Sequence, residues 1–150
     1  MPFYSAKQLY MMTKAQYVVA VWLANFNHEK ELRNYLEVKY DEDGNSLSAF
    51  GDAVGMRHFD IDFLEHASFT NAMKPEEIIN GVSFSEYFKD DLTPLINHDI
   101  LYHHNTIIFL YGKQDRYGAI NEHIFTLANM PQRQLPFSFI GTVKFEIENQ

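Results

Sequence analysis

The sequence predicts an α+β fold, a single domain over residues 1–150 with one mixed β-sheet of about four or five strands and helices packed mainly on one face. Three observations predict it. The run YVVAVWLA at residues 17–24 is continuously apolar and β-branched, the pattern of a strand covered on both faces and therefore central in its sheet. Thr106 to Tyr111 is a second near-continuous apolar run. Between them, apolar residues recur at helical spacing behind capping residues and prolines. No repeat or low-complexity tract divides the chain, and residues 1–16 read as an N-terminal extension.

Asn27 is placed to cap a helix whose first turn holds Glu29 and Glu31, favourable at the positive end of the helix dipole. Leu32, Tyr35, Leu36 and Tyr40 follow as its buried stripe. The acidic turn Asp41, Glu42, Asp43 and Gly44 then reverses the chain, glycine supplying the positive φ. A short helix is expected from about Leu47 to Val54, although Gly51 costs it about 1 kcal/mol relative to alanine. Phe59, Ile61 and Phe63 alternate with His58, Asp60 and Asp62, the period-two signature of a strand with one wet, anionic face.

Pro75 sits at a first helical position before Glu76 and Glu77, with Ile78 and Ile79 as anchors and Gly81 as the stop. Ser83 and Glu86 have the spacing of a capping box. Phe84, Tyr87, Phe88 and Leu92 continue that helix until Pro94. Residues 119–130 fit helix and strand equally, and Pro131 and Pro136 frame a loop. A closing strand from Phe137 to Ile147 needs a bulge near Gly141, because Phe137, Phe139, Thr142, Lys144 and Glu146 cannot otherwise share one face.

Composition bounds the function. An apolar share of 46% with 13 Phe and 9 Tyr is enough to build a core in a chain of this length. The absence of cysteine excludes disulfide frameworks, thiol nucleophiles and sulfur-ligated zinc, and fits a reducing compartment. No apolar run approaches the roughly 20 residues of a membrane helix, and residues 1–16 lack a signal-peptide pattern. A cytoplasmic protein that does not enter membranes is expected.

Formal net charge is −8, and residues 41–91 carry twelve carboxylates against Arg57, Lys74 and Lys89. One third of the chain therefore holds the whole anionic excess. Direct nucleic-acid binding is disfavoured, because phosphate contacts need clustered cations. A basic protein partner fits better, while solubility alone is the plainer use of the same charge.

Candidate chemistry is sparse. Asp41, Asp43 and Asn45 resemble the start of a calcium loop, but Ser46 stands where that loop needs glycine and Asp52 where it needs a bidentate glutamate. His98, His103 and His104 cluster without the spacing of a zinc site. Asp60 and Asp62, on one face of a strand, would lie about 7 Å apart, near the separation used in some glycoside hydrolysis. This leaves a carboxylate-dependent hydrolase as an alternative. Carboxylates there also discourage edge-to-edge aggregation. No nucleophile elbow, phosphate loop or dinucleotide fingerprint occurs, so no enzyme, cofactor or metal site is expected. Trp22 belongs with the core.

In order, several segments resemble a known family. They are Val18 to Trp22 leading to Asn25 and Phe26; Glu31, Leu32, Tyr35 and Leu36; the turn from Tyr40 to Gly44; Phe50 with Gly55; and Asp60 to Phe63. Gly81 to Ser85 with Phe88, Leu110 with Tyr111, and Phe139 to Gly141 complete the set. Together, over roughly residues 17–145, they are similar to the bacterial immunity protein family numbered twenty-two, found beside polymorphic toxins. Val54 departs from the Phe expected before Gly55, and residues 113–135 supply no segment of the resemblance.

The resemblance implies an immunity protein, an antitoxin that binds and neutralises a cognate toxin domain. Many such toxins degrade nucleic acids through a cationic groove, which an acidic protein could occupy or overhang. Charge then nominates Asp41, Glu42, Asp43, Asp60, Asp62, Glu65, Asp90 and Asp91 as partner contacts, with Tyr40 as an aromatic anchor. A housekeeping interaction module would carry the same acidic surface. The sequence leaves open the toxin's activity, the mode of inhibition, the oligomeric state and the strand order.

Overall fold

A computed structural model describes residues 14–56, 58–70, 72–114, 119–129 and 137–148. The main sheet has four strands, β1 (Lys14–Ala24), β4 (Leu64–Ser68), β5 (Thr106–Gln114) and β6 (Phe137–Glu148), in the order β4-β5-β1-β6. A small hairpin joins β2 (Lys39–Tyr40) to β3 (Ser46–Leu47). Among the described residues, five α-helices accompany them: α1 (Glu29–Leu36), α2 (Ala49–Val54), α3 (Pro75–Ile79), α4 (Ser85–Leu92) and α5 (His98–Tyr102). Among the described residues no helix is long and apolar enough to cross a membrane.

The α+β class and strand number agree with expectation, and β1 is interior, as its apolar run requires. Two details differ. Every pairing in the sheet is antiparallel, not mixed. Helices cover both faces, because β1 is apolar at every position from Val18 to Ala24 and each alternate set needs a partner. Val19, Val21 and Leu23 pack with α3, α4 and α5. Val18, Ala20, Trp22 and Ala24 pack with α1, α2 and Ile124.

Residues 14–16, read from sequence as part of an extension, belong to β1, where Gln16 pairs with Glu146 on β6. The bulge expected near Gly141 is present. Val21 faces Gly141 but Trp22 faces Phe139, so Ile140 is the extra residue, and Gly141 takes φ +152. That slip lets Phe139 stack on Trp22 on one side of the sheet while Val143 and Phe145 enter the core on the other.

Four local expectations are corrected. The alternating segment 59–63 is no strand: Asp60 accepts a hydrogen bond from the Asp62 amide (3.0 Å) and starts a 3-10 turn, Ile61–Phe63, before β4. Ser83 and Glu86 form no capping box, because Glu65 holds Ser83 and the N-cap position falls to Phe84. His28, not Asn27, precedes α1, with no side-chain cap. Helix α1 stops at Leu36, so Tyr40 lies on a strand and is exposed.

The short second helix is α2, capped by the Ser48 hydroxyl, which accepts from the Gly51 amide. Gly51 is required by space. A Cβ there would lie 2.6 Å from the Met56 carbonyl oxygen and 3.1 Å from the Phe59 ring, so its low helix propensity is the lesser penalty. Residues 122–129 form a 3-10 helix, Glu122–Asn129, while the loop framed by Pro131 and Pro136 lies outside the described residues.

Candidate functional site

Two loops carry five of the eight candidate carboxylates, Asp41, Glu42 and Asp43 on one and Asp60 and Asp62 on the other. The first is the turn between β2 and β3. One Asp41 carboxylate oxygen accepts from the backbone amides of Asp43 (3.0 Å) and Asn45 (2.8 Å), and the Asp41 amide donates to the Asn45 carbonyl (3.0 Å). Asp41 thus closes the turn that the calcium-loop comparison had singled out. Glu42 and Asp43 remain exposed at its tip, and Tyr40 at its base is 72% exposed.

The second loop carries Asp60 and Asp62 and is fixed by Asn121. The Asn121 side-chain oxygen accepts from the Asp60 amide (2.6 Å), and its Nδ2 donates to the Asp60 carbonyl (3.2 Å) and the Tyr111 carbonyl (3.0 Å). Asn121 is buried and sits at φ +45, a left-handed value that Asn tolerates better than most residues. Its close approach to β5 depends on Gly112, where a Cβ would lie 2.7 Å from the Asn121 carbonyl oxygen. The clamp therefore ties the acidic loop directly to the end of an interior strand.

Between these loops lies a concavity of about 780 Å³, with Tyr40, His58, Asp60, Asp62, Glu122 and His123 on its wall. Ser46 Oγ lies 2.6 Å from His58 Nδ1, linking the hairpin to the second loop. Burial lowers the pKa of His123, with Glu122 acting in the opposite sense. His123 is thereby biased toward its neutral form.

The structure brings Tyr40, Asp60 and Asp62 to this wall, with Asp41, Glu42 and Asp43 on the adjoining hairpin. It separates the other three candidates. Glu65 pairs with Phe109, so its side chain points to the opposite side of the sheet, where its carboxylate accepts from the Ser83 amide (3.0 Å) and hydroxyl. Asp90 and Asp91 are exposed on α4, which packs on that same opposite side. Position along the chain put the carboxylates in one third of the sequence, but the sheet divides them between its two faces.

Sequence reasoning missed Asn121, His58, Glu122 and His123. For Asn121 a weak signal existed, a lone Asn after an apolar residue in a segment of undecided structure. The strand spacing behind the hydrolase alternative is absent, since Asp60 and Asp62 occupy a turn in which one supports the other's backbone. His104, from the histidine cluster, has Nδ1 2.5 Å from the Ile100 carbonyl oxygen and Nε2 3.2 Å from Ser138 Oγ. Among the described residues, no group of three or more His, Asp or Glu side chains is arranged to hold a metal ion.

Compared with known proteins, residues 19–146 match the model of the family described as Immunity protein 22. Neither a curated relative nor a solved structure matches the chain.

Proposed function

The chain belongs to the Immunity protein 22 family, and from that premise we propose that it neutralises a cognate toxin by presenting the acidic concavity to a basic surface. Membership implies an immunity role exercised through binding a toxin, and suggests no catalytic one. The observation that supports the concavity as the contact is the placing of Asp60 and Asp62 on its wall beside exposed Tyr40, with the acidic β2–β3 turn next to it.

Carboxylates so arranged steer a cationic partner and raise its association rate. Tyr40 offers a large, amphipathic side chain of the kind that anchors interfaces. A nuclease, whose substrate groove is cationic, fits this surface, and the encounter takes place in the cytoplasm of the bacterial producer. The Asp41 carboxylate closes the first loop through its own turn amides, and buried Asn121 ties the second to β5, so little ordering is needed on binding.

Co-expression with the toxin encoded beside this gene tests the reading. The intact protein is expected to restore growth, and the triple variant Tyr40→Ala, Asp60→Asn, Asp62→Asn to protect poorly while still folding. Failure of the intact protein to protect, or full protection by the folded variant, overturns it.

A further inference from the structure

On the other face of the sheet, one residue holds an unfavourable backbone without being buried. Phe84 takes φ +63 and ψ +16, a region that bulky L residues avoid, yet its side chain is 40% exposed. Its neighbours impose the conformation. The preceding residue, Ser83, donates its amide and hydroxyl to Glu65, and its carbonyl accepts from the Tyr111 hydroxyl at 2.7 Å. The Phe84 carbonyl in turn accepts the Tyr87 amide at 2.9 Å. Strain of this kind persists only where surrounding contacts over-determine it, and it gathers at functional positions.

The Phe84 ring joins others. It lies 5.6 Å from Tyr17, 6.0 Å from Tyr111 and 6.3 Å from Phe145. Tyr87, 45% exposed, stacks on Phe145 at 6.2 Å and 19°. The outcome is a continuous aromatic platform, closed against the core beneath and open above.

Charge selects what can cover it. Asp90 and Asp91 stand three and four residues after Tyr87 on α4, the spacing that places side chains on one helical face, and both are exposed. A second copy of a chain with net charge −8 would bring like charges together there. A cation is attracted by the carboxylates and by the ring faces alike. The ring of Tyr17 already has such a neighbour, the Lys113 ammonium 5.6 Å from its centroid.

Resting on the toxin-binding function above, we infer that Phe84, Tyr87 and Tyr17 form a second docking surface, which receives Arg or Lys side chains of the same toxin beside Asp90 and Asp91. Asp62 lies just before Glu65, the residue that holds Ser83. Glu65 on the edge strand β4 thus ties Ser83, the residue that holds Phe84, to the segment that carries Asp60 and Asp62.

The probe is the purified toxin domain encoded beside this gene, with binding followed in real time. Phe84→Leu keeps apolar volume but removes the ring face, Phe84→Tyr restores it, and Tyr87→Ala truncates the more exposed ring. Phe84→Leu and Tyr87→Ala are expected to raise the dissociation rate about tenfold or more with the association rate nearly unchanged, and Phe84→Tyr to stay near the intact protein. Should Phe84→Leu fail to fold, Tyr87→Ala decides alone. Unchanged dissociation in the folded variants overturns the platform while leaving the immunity reading in place. Absence of binding by the intact protein overturns both. Dimerisation of the free protein that Tyr87→Ala abolishes would make a second copy the occupant, and would also overturn the inference.

Discussion

On the Trp22 side of the sheet the core runs out into a polar concavity; on the Phe88 side it runs out into half-exposed rings. Trp22 meets Phe50 edge-on at 5.1 Å, and Phe50 meets Phe59 at 5.6 Å, so the aromatic chain on this side ends just before Asp60. Across the sheet Phe88 contacts Phe109, Tyr111 and Phe145, but the cluster continues outward to Phe84 and Tyr87. The centre of each layer is determined by alternation along β1. Each rim is determined by loops whose anchors come from distant parts of the chain, so two surfaces of different chemistry arise from one symmetric requirement for burial.

Substitutions sharpen that contrast. Phe50→Ala opens a cavity at the centre of the Trp22 layer and is expected to destabilise the fold by about 3–5 kcal/mol in urea unfolding. A loss under about 1 kcal/mol would show that this layer is less tightly closed than its packing indicates.

Asn121→Ala acts at the rim. It leaves the Asp60 amide and carbonyl and the Tyr111 carbonyl without their partner, and is expected to cost about 2–3 kcal/mol. Toxin association should also slow as the Asp60 and Asp62 carboxylates lose their fixed placement. Retained association in the folded variant would mean that the concavity works without its clamp.

The smallest effect concerns pH. Because the folded-state pKa of His123 is lowered from its ordinary 6.5, the unfolded chain takes up the proton first as pH falls. Stability contributed by the neutral ring is thus present above about pH 6.5 and is lost as pH falls through the lower folded value. His123→Gln should flatten the stability profile slightly in that window, as measured by urea midpoints; a steeper profile would reverse the sign.

Much of the sheet was legible because burial on two faces leaves an unmistakable pattern. The runs of β1 and β5, and the bulge demanded by Gly141, needed only the alternation of side chains. Segment 59–63 was not legible, since an Asp-capped turn leading into a strand displays the same alternation as a strand. Ser83 misled for a related reason. Its capping-box spacing with Glu86 is local, whereas its actual partner, Glu65, comes from β4.

The candidate site's charge could be read from the sequence, but its arrangement could not. Tyr40, Asp60 and Asp62 come together because the β2–β3 hairpin and the Asn121 clamp place them so. Asp90 and Asp91 end on the far side because the chain crosses the sheet edge through β4 before α4 forms. Phe84 could not be recognised from sequence, as its strain follows from three hydrogen bonds that no local pattern records.

Stopped-flow association of a cognate toxin domain with the intact protein and with Asp60→Asn, Asp62→Asn, followed across ionic strength, tests the acidic concavity most directly. The intact protein should associate fast at low salt and slow steeply as salt rises, with the variant slower and its salt dependence shallower. Identical rates and slopes for the two proteins would contradict the account.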